Sequence, residues 1–382
     1  MAARILFLAD THLGFDLPLT PRVVRRRRGH DFLENYRRAL APALAGEVDL
    51  VVHGGDVFHR ARPHHTLVAQ AFQPLTEIAD AGIPVVVVPG NHERSRIPHR
   101  RFATHPLVHV FDRPSTFQVD VGGLRIALAG FPYERQVVRR RFPALLAETG
   151  WRPHRSDVSL LCVHHCFEGA TVGPADFTFR RGPDVIRCRD IPQGLTAVLT
   201  GHVHRHQVLT TDLEGRPLPA PVIYPGSTER TAFAEMGEEK GVVTLDVSPA
   251  PGGAGRRAGG ADGAPRNAPL RWDFHPLPTR PMAVRRIDAA HTDGPGLARQ
   301  VEAALTSCAT DAVLRLQVEG VAAPGALEAL GAARLRARAP EMTVEVVLTG
   351  ENQRRGGAGR RLRRRLDTPA GPAAWSQAGL FG

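Results

Sequence analysis

Short runs of valine, leucine and isoleucine recur along the first 200 residues, and each stops at a turn. They are RILFLA (4–9), VDLVVHGG (48–55), IPVVVVPG (83–90), LRIALAG (124–130), VSLLCV (158–163) and LTAVLTG (195–201). Apolar residues at consecutive positions, rather than every second one, predict strands buried on both faces. Two of the gaps carry the rhythm of amphipathic helices, DFLENYRRALAPALAG (31–46) and TLVAQAFQPLTEIADAG (66–82). Strands alternating with helices predict an α/β layered domain with largely parallel pairing. GVVTLDV (241–247) and LRWDFHPLP (270–278) read as partner strands. Between them lies a Gly/Pro/Ala insertion, 248–269, with nothing to bury. After Met282 the pattern restarts with a helix near 295–306, a strand at 312–320, a helix at 325–338 and a strand at 342–348. The expected organisation is a large α/β domain over 1–280, a smaller C-terminal α/β domain over 281–350 and a basic tail over 351–382.

The polar residues that follow each strand say more than the strands. Asp10 and His12 follow the first, Asp56 and His59 the second, Asn91 and His92 the third. His164 and His165 end the strand at 158–163, and TGHVHRHQ (200–207) brings His202, His204 and His206. In an open α/β sheet the carboxyl ends of the strands form one rim, where ligands bind. Any one of these clusters has an ordinary explanation as a turn or a cap. Five together aim carboxylate, amide and imidazole groups at one crevice, which predicts a metal centre. Mixed oxygen and nitrogen donors without a thiolate do not suit a closed Cys-rich structural zinc site. Asp10, His12, Asp56, Asn91, His164, His202 and His204 supply four donors to each of two ions if Asp56 bridges them. Two ions about 3.5–4 Å apart suit in-line attack on a phosphoryl centre.

Charge adds a partner class. The formal net charge is +11 and the pI about 10.8, a balance that favours nucleic acid. Codon bias in a GC-rich genome produces the same excess, because the charge is almost all arginine and Lys240 is the only lysine. The basic runs are RVVRRRR (22–28, with Arg25, Arg26, Arg27 and Arg28), VVRRRF (137–142) and RRGGAGRRLRRR (354–365). Arg60 and Arg62 follow His59. Phosphate contacts from such residues give affinity without sequence preference and a steep loss of binding with salt. Aromatics make up only 6% of the chain, which argues against a broad base-stacking platform. No apolar run approaches the roughly 18–20 residues that span a bilayer. The early ILFLA runs straight into Asp10, unlike a secretory leader. Four scattered cysteines, Cys162, Cys166, Cys188 and Cys308, suit a reducing cytoplasm.

D-x-H, G-D, G-N-H, a later His and G-H-x-H, in this order, resemble the calcineurin-like metallophosphoesterases. DTHLG, GDVFHRARP and GNHE are similar to the SbcD-type branch, nucleases of DNA double-strand-break repair. PLPTRPM (276–282) resembles that branch's passage into its DNA-binding capping domain, and the resemblance covers roughly residues 1–350. It implies a layered fold, β-sheets flanked by helices, with a smaller α/β capping domain. It also implies Asp10, His12, Asp56 and His204 as ligands of one ion, and Asp56, Asn91, His164 and His202 as ligands of the other. His92 matches the histidine that protonates or stabilises the leaving oxygen, and His59 one tied to nuclease activity. His164 is preferred to His165 because it follows the strand directly, and His206 falls outside both sets. Manganese is the implied metal, and zinc or iron could occupy the same atoms. Three features set the chain apart from the branch: Glu93 stands where Asp is more usual, the insertion at 248–269 is low-complexity, and the tail shows no clear helical hairpin for docking an SMC-like ATPase.

The function expected is therefore a cytoplasmic two-metal phosphodiesterase acting on DNA, as exonuclease or endonuclease, with a metal-bound hydroxide attacking the backbone phosphate. The implied partners are DNA, an SMC-like ATPase of the SbcC type and a second copy of the chain, with no membrane. One rival is the same chemistry on nucleotides or cyclic nucleotides, against which the second domain and the basic charge count. The other is a non-catalytic DNA-end-binding subunit, which has no need of a complete ligand set with His92.

Overall fold

The computed structural model describes residues 2–18, 21–93, 104–152, 155–248, 269–323 and 325–349. The chain divides into two compact units, Met1–Met282 and Ala283–Gly382. The first unit is built on two six-stranded sheets. One has β1 (Ala3–Leu8), β2 (Leu50–His53), β3 (Val85–Val87) and β4 (Val108–Val110) in parallel order. Two antiparallel strands, β15 (Gly241–Val247) and β16 (Leu270–Pro276), extend it on the β1 side. In the other, β6 (Leu124–Gly130), β7 (Val158–Val163), β12 (Ala197–Thr200) and β14 (Pro217–Tyr224) run parallel. Its antiparallel edges are β5 (Ser115–Val121) and β13 (Gln207–Thr211). Four two-residue strands, β8 (Cys166–Phe167), β9 (Thr171–Val172), β10 (Phe177–Thr178) and β11 (Val185–Ile186), pair locally between β7 and β12.

The consecutive apolar residues now have a cause. In β1, Leu6 and Leu8 pack towards α1 (Arg28–Leu44) and α2 (His65–Asp80), against Tyr36, Leu40, Phe72 and Leu75. Ile5 and Phe7, on the opposite face, pack with Val52 and Val86 against Ile126, Leu128, Leu160 and Leu199 of the second sheet. Each such side chain, fully withdrawn from water, contributes roughly 1.5–3 kcal/mol. Helix α1 turns Phe32, Asn35, Tyr36, Ala39, Leu40 and Ala43 inward, the i, i+3, i+4, i+7 spacing that a core-facing helix needs.

One correction follows. The strand ends read as one rim of one sheet belong to two sheets packed face to face, since the apolar runs of both are buried on each side and look alike in sequence. The run VVRRRF opens a helix, α3 (Val138–Glu148), which buries Val138, Phe142 and Leu145. Strands β5 and β13 were not anticipated, because edge strands half-exposed to water carry polar residues that break the apolar run.

In the second unit, β17 (Met282–Asp288), β18 (Val313–Glu319) and β19 (Thr343–Leu348) form a sheet, β18 and β19 parallel. Helices α4 (Gly294–Thr306) and α5 (Ala332–Arg338) accompany it, with Ile287, Leu297, Val301, Leu314, Leu316 and Leu335 in the core. The helix expected over 325–338 is instead a 3-10 turn, Ala326–Leu330, separated from α5 by Gly331. All but the ends of the insertion at 248–269, and the whole tail at 351–382, lie outside the described residues. Among the described residues no helix is long and apolar enough to cross a membrane.

Candidate metal centre

Five strands end at one place. β1, β2 and β3 of the first sheet deliver Asp10, His12, Asp56, His59, Asn91 and His92, while β7 and β12 of the second deliver His164, His202 and His204. The chain bends sharply there. Asp10, His12, Asp56 and His202 all adopt left-handed backbone angles, with φ of 52°, 42°, 52° and 79°. Such angles cost a non-glycine residue of order 1 kcal/mol or more, and strain of this kind collects at functional sites. Main-chain bonds hold the turns in register, from Asp10 N–H to the Gly55 carbonyl at 2.9 Å and from His12 N–H to the Asp56 carbonyl at 3.0 Å. Glycine is required twice by contact. A Cβ on Gly90 would stand 2.1 Å from Asp56 Oδ1, and one on Gly55 2.2 Å from His164 Nδ1.

The seven candidate donors converge. Nε2 of His12 lies 3.0 Å from Nε2 of His204. Asn91 Oδ1 lies 3.0 Å from His164 Nε2 and 2.9 Å from His202 Nδ1. Between these two groups sit the carboxylates. Asp10 Oδ1 is 3.9 Å from both His164 Nε2 and His204 Nε2, and Asp56 Oδ2 is 3.4 Å from His164 Nε2 and 4.0 Å from His12 Nε2. Asp10, Asp56, His12 and His164 are all buried.

Burial pushes the Asp10 carboxyl up to about 6. Burial acts the same way on Asp56, but the imidazoles of His164, His12 and His92 outweigh it and hold that carboxyl below its ordinary range. His164 is the converse: burial disfavours its charge, yet Asp56 and Asp10 lift it to about 9. Two buried carboxylates thus draw a positive charge to their midst. Ring nitrogens and an amide oxygen converge around them, and Nδ1 of His12 is buried without a hydrogen-bond partner among the described residues. This donor set fits divalent cations.

His92 is placed differently. Its main-chain N–H donates to Asp56 Oδ1 at 2.9 Å, and its Nδ1 lies 2.8 Å from the His59 carbonyl oxygen. Nδ1–H must be the donor in that bond, so Nε2 is left to face the centre, 3.8 Å from Asp56 Oδ2. His59 itself stands beside both rings, 5.4 Å from His92 and 5.8 Å from His12 between centroids. His165 turns away from the centre: it accepts the Glu134 N–H, stacks on Tyr133 and is kept neutral, burial pushing it down to about 3. His206 also leaves, stacked on Phe274 at 4.2 Å. The positive φ of His202 breaks the extended run in which all three histidines of the segment would face one way. Glu93, the departure from the SbcD pattern, is buried and accepts N–H bonds from Gly90 and Phe58. Burial, with Asp56 nearby, pushes its carboxyl up to about 8.

The arginines divide. Arg60 and Arg62 are exposed, with no acidic partner among the described residues. Arg26 pairs with Asp31 at 2.8 Å and Arg27 with Asp16 at 3.4 Å, and Arg25 is half-exposed. Arg28 is turned inward, bonded to Glu229 at 3.2 Å and to the Arg230 carbonyl. It is 5% exposed, which takes it out of a phosphate-binding surface. Sequence reasoning also passed over Thr231 and Glu235, each 3.1 Å from His204 Nδ1, and gave Lys240 no role. Their loop, STERTAFAEMGEEK, reads as an ordinary polar surface segment, and the solitary lysine was the one available signal.

The family described as calcineurin-like phosphoesterase matches residues 3–206, a span that contains every one of the seven donors. The chain is a calcineurin-like phosphoesterase. Similar proteins include the DNA double-strand break repair protein Mre11 of Methanopyrus kandleri, 27% identical over 255 residues, which are 62% of this chain and 51% of that protein. The protein of the same name from Aeropyrum pernix is 25% identical over 64% of this phosphoesterase and 58% of its own length. That from Haloferax volcanii is 40% identical over 93 residues, only 20% of its length. The phosphoesterase thus spans about half the length of these relatives, or less. Among solved structures, a dimetal phosphatase from Danio rerio aligns with a TM-score of 0.39 and 13% identity, over 64% of this chain and 94% of that one. That likeness is too slight to argue from. As its family implies, this phosphoesterase depends on divalent metal.

Proposed function

We propose that this phosphoesterase is a two-metal DNA nuclease of double-strand-break repair. The observation that carries the reading is the fixed imidazole of His92, beside a carboxylate and imidazole cluster on five strand ends. Asp10, His12, Asp56 and His204 would hold one ion, and Asp56, Asn91, His164 and His202 the other, with Mn2+ the proposed metal in the cell. Such ions, when bound, polarise the phosphate and make an attacking water nucleophilic near neutral pH. Asp56 holds His92 by its main-chain N–H, and the His59 carbonyl accepts from Nδ1–H, so Nε2 faces inward, where the doubly protonated ring would donate to the leaving oxygen. A deoxyribose oxygen leaves poorly without a proton, and a positioned imidazole there is worth about 10²–10⁴ in rate. The ring of His59 keeps His92 from swinging outward. Arg60 and Arg62, the next exposed residues, would meet phosphates beyond the one being cut.

DNA as substrate is supported by the named role of the Mre11 relatives and by the net charge of +11. The reading extends to a homodimer, to an SMC-like ATPase of the SbcC type as partner, and to the cytoplasm, the last supported by four free thiols. The test uses purified protein, Mn2+, end-labelled duplex DNA and bis(p-nitrophenyl) phosphate. Duplex cleavage abolished by chelator and by Asp56→Ala supports the nuclease. Turnover of the small diester with intact DNA replaces it with a small-substrate phosphodiesterase. DNA binding without turnover at any divalent metal replaces it with an end-binding subunit.

A further inference from the structure

The chain uses arginine wherever it needs a cation, except once. Lys240 is the only lysine among 49 Lys and Arg residues, and it is 1% exposed. Its Nζ has three acceptors: the His204 carbonyl oxygen at 2.8 Å, Glu235 Oε2 at 2.8 Å and Glu238 Oε2 at 2.9 Å. An ammonium offers three N–H bonds from a single nitrogen, and here each has a partner. The planar fork of arginine is longer and spreads its donors over three nitrogens, so it cannot reproduce this arrangement.

Glu235 uses its other oxygen on the same histidine. Oε1 lies 3.1 Å from His204 Nδ1, beside Thr231 Oγ1 at the same distance. A carboxylate acceptor at Nδ1 draws the proton to that nitrogen. Nε2, 3.0 Å from Nε2 of His12 and 3.9 Å from Asp10, then keeps its lone pair for the centre. Lys240 therefore grips His204 at both ends, by its carbonyl directly and by its ring through Glu235. Its ammonium also pairs with the buried Glu235 side chain at 2.8 Å, which fixes that acceptor in place.

We infer that Lys240 and Glu235 are positioning residues that set the tautomer and orientation of His204 for metal binding. The inference rests on the metal-centre reading above and adds to it two residues that touch neither ion nor substrate. Outer groups that hold a metal-binding imidazole typically change metal affinity by about 10–100-fold.

Isothermal titration of the full-length protein with Mn2+, at a temperature where circular dichroism shows each variant folded, tests it. Lys240→Arg and Glu235→Gln are expected to weaken one of the two Mn2+ binding events by about 10–100-fold and to leave the other near wild type. Lys240→Met is expected to do the same or worse. Should it fail to fold, the other two variants carry the test. Co2+ loading gives a second readout, because the visible ligand-field bands follow ligand geometry and are expected to shift in Glu235→Gln. A purely supporting role lowers the metal-free melting temperature and leaves both Mn2+ affinities and the Co2+ spectrum unchanged, and that result overturns the inference. Wild-type protein that binds no Mn2+ overturns the metal-centre reading as well, so the two failures are distinguishable.

Discussion

The two sheets contribute unequally to the rim they share. The first brings every oxygen donor, Asp10, Asp56 and Asn91, together with His12, His59 and His92. The second brings imidazole alone, as His164, His202 and His204. They are also held by different means. The first sheet's turns are knit by main-chain bonds between neighbouring parallel strands, Asp10 to Gly55 and His12 to Asp56. The second sheet's rings depend on groups from elsewhere, His164 on the Gly54 carbonyl at 2.7 Å and His204 on Glu235. Negative charge is thus fixed rigidly on one wall, and imidazole donors are oriented against it from the other. The centre exists only when the apolar faces of the two sheets close on each other.

If this division is right, the largest loss comes from the charged wall. Asp56→Asn removes the carboxylate common to both proposed ligand sets while keeping its shape. Phosphodiesterase activity with Mn2+ is expected to fall on the order of 10⁴-fold or more, the several kcal/mol that metal catalysis supplies. An Asp56→Asn enzyme within tenfold of wild type breaks the comparison. Next comes His92→Ala, from the same wall but outside the ligand sets. Turnover should drop about 10²–10⁴-fold, with calorimetric Mn2+ affinity preserved. Lost metal affinity would instead make His92 a ligand.

This inequality between the sheets was only half legible in the sequence. The donor residues stand at strand ends that hydrophobic runs mark clearly, and β6 and β7 occupy the very residues of two such runs. Which sheet a strand joins is a tertiary fact, because both faces of β1 and β7 are buried and nothing local separates the two cores. Arg28 shows the same limit. Four consecutive arginines look alike until Glu229, some two hundred residues away, claims the last of them. Glu235 and Lys240 are harder still, since a loop of polar residues reads as solvated until the fold buries it. His165 and His164 are separable by strand phase alone: successive residues face opposite ways, and only one faces the rim.

From the second wall, His202→Ala takes away one imidazole whose Nδ1 meets Asn91 Oδ1 at 2.9 Å. It should weaken one Mn2+ binding event by more than about a hundredfold, beyond the 10–100-fold that losing an outer partner costs. A neutral donor withdrawn from a wall without carboxylates leaves the fixed negative charge in place, so ions still bind at millimolar supply. Activity at saturating Mn2+ is then expected to exceed that of Asp56→Asn. The reverse ranking would show that the imidazole wall, not the carboxylate wall, dominates the site.

The smallest effect belongs to residues outside both walls. Arg60 and Arg62 are exposed and have no acidic partner among the described residues, whereas Arg28, in the longest basic run among them, spends its charge on buried Glu229. A phosphate contact releases counterions, and each one lost lowers the slope of log affinity against log salt by about 0.9 on duplex DNA. Replacing Arg60 and Arg62 by alanine together is expected to reduce that slope by about 2, and to weaken duplex binding about tenfold at moderate salt. Fluorescence anisotropy on a labelled duplex across a salt series measures both. Arg28→Ala, by contrast, strands Glu229 in the interior and should cost about 3–5 kcal/mol of stability in a denaturant titration. Any change it makes in DNA affinity should then follow the folded fraction. A salt slope altered by Arg28→Ala at full folding, and untouched by the Arg60 and Arg62 pair, would move the nucleic-acid surface from the β2 turn to the start of α1.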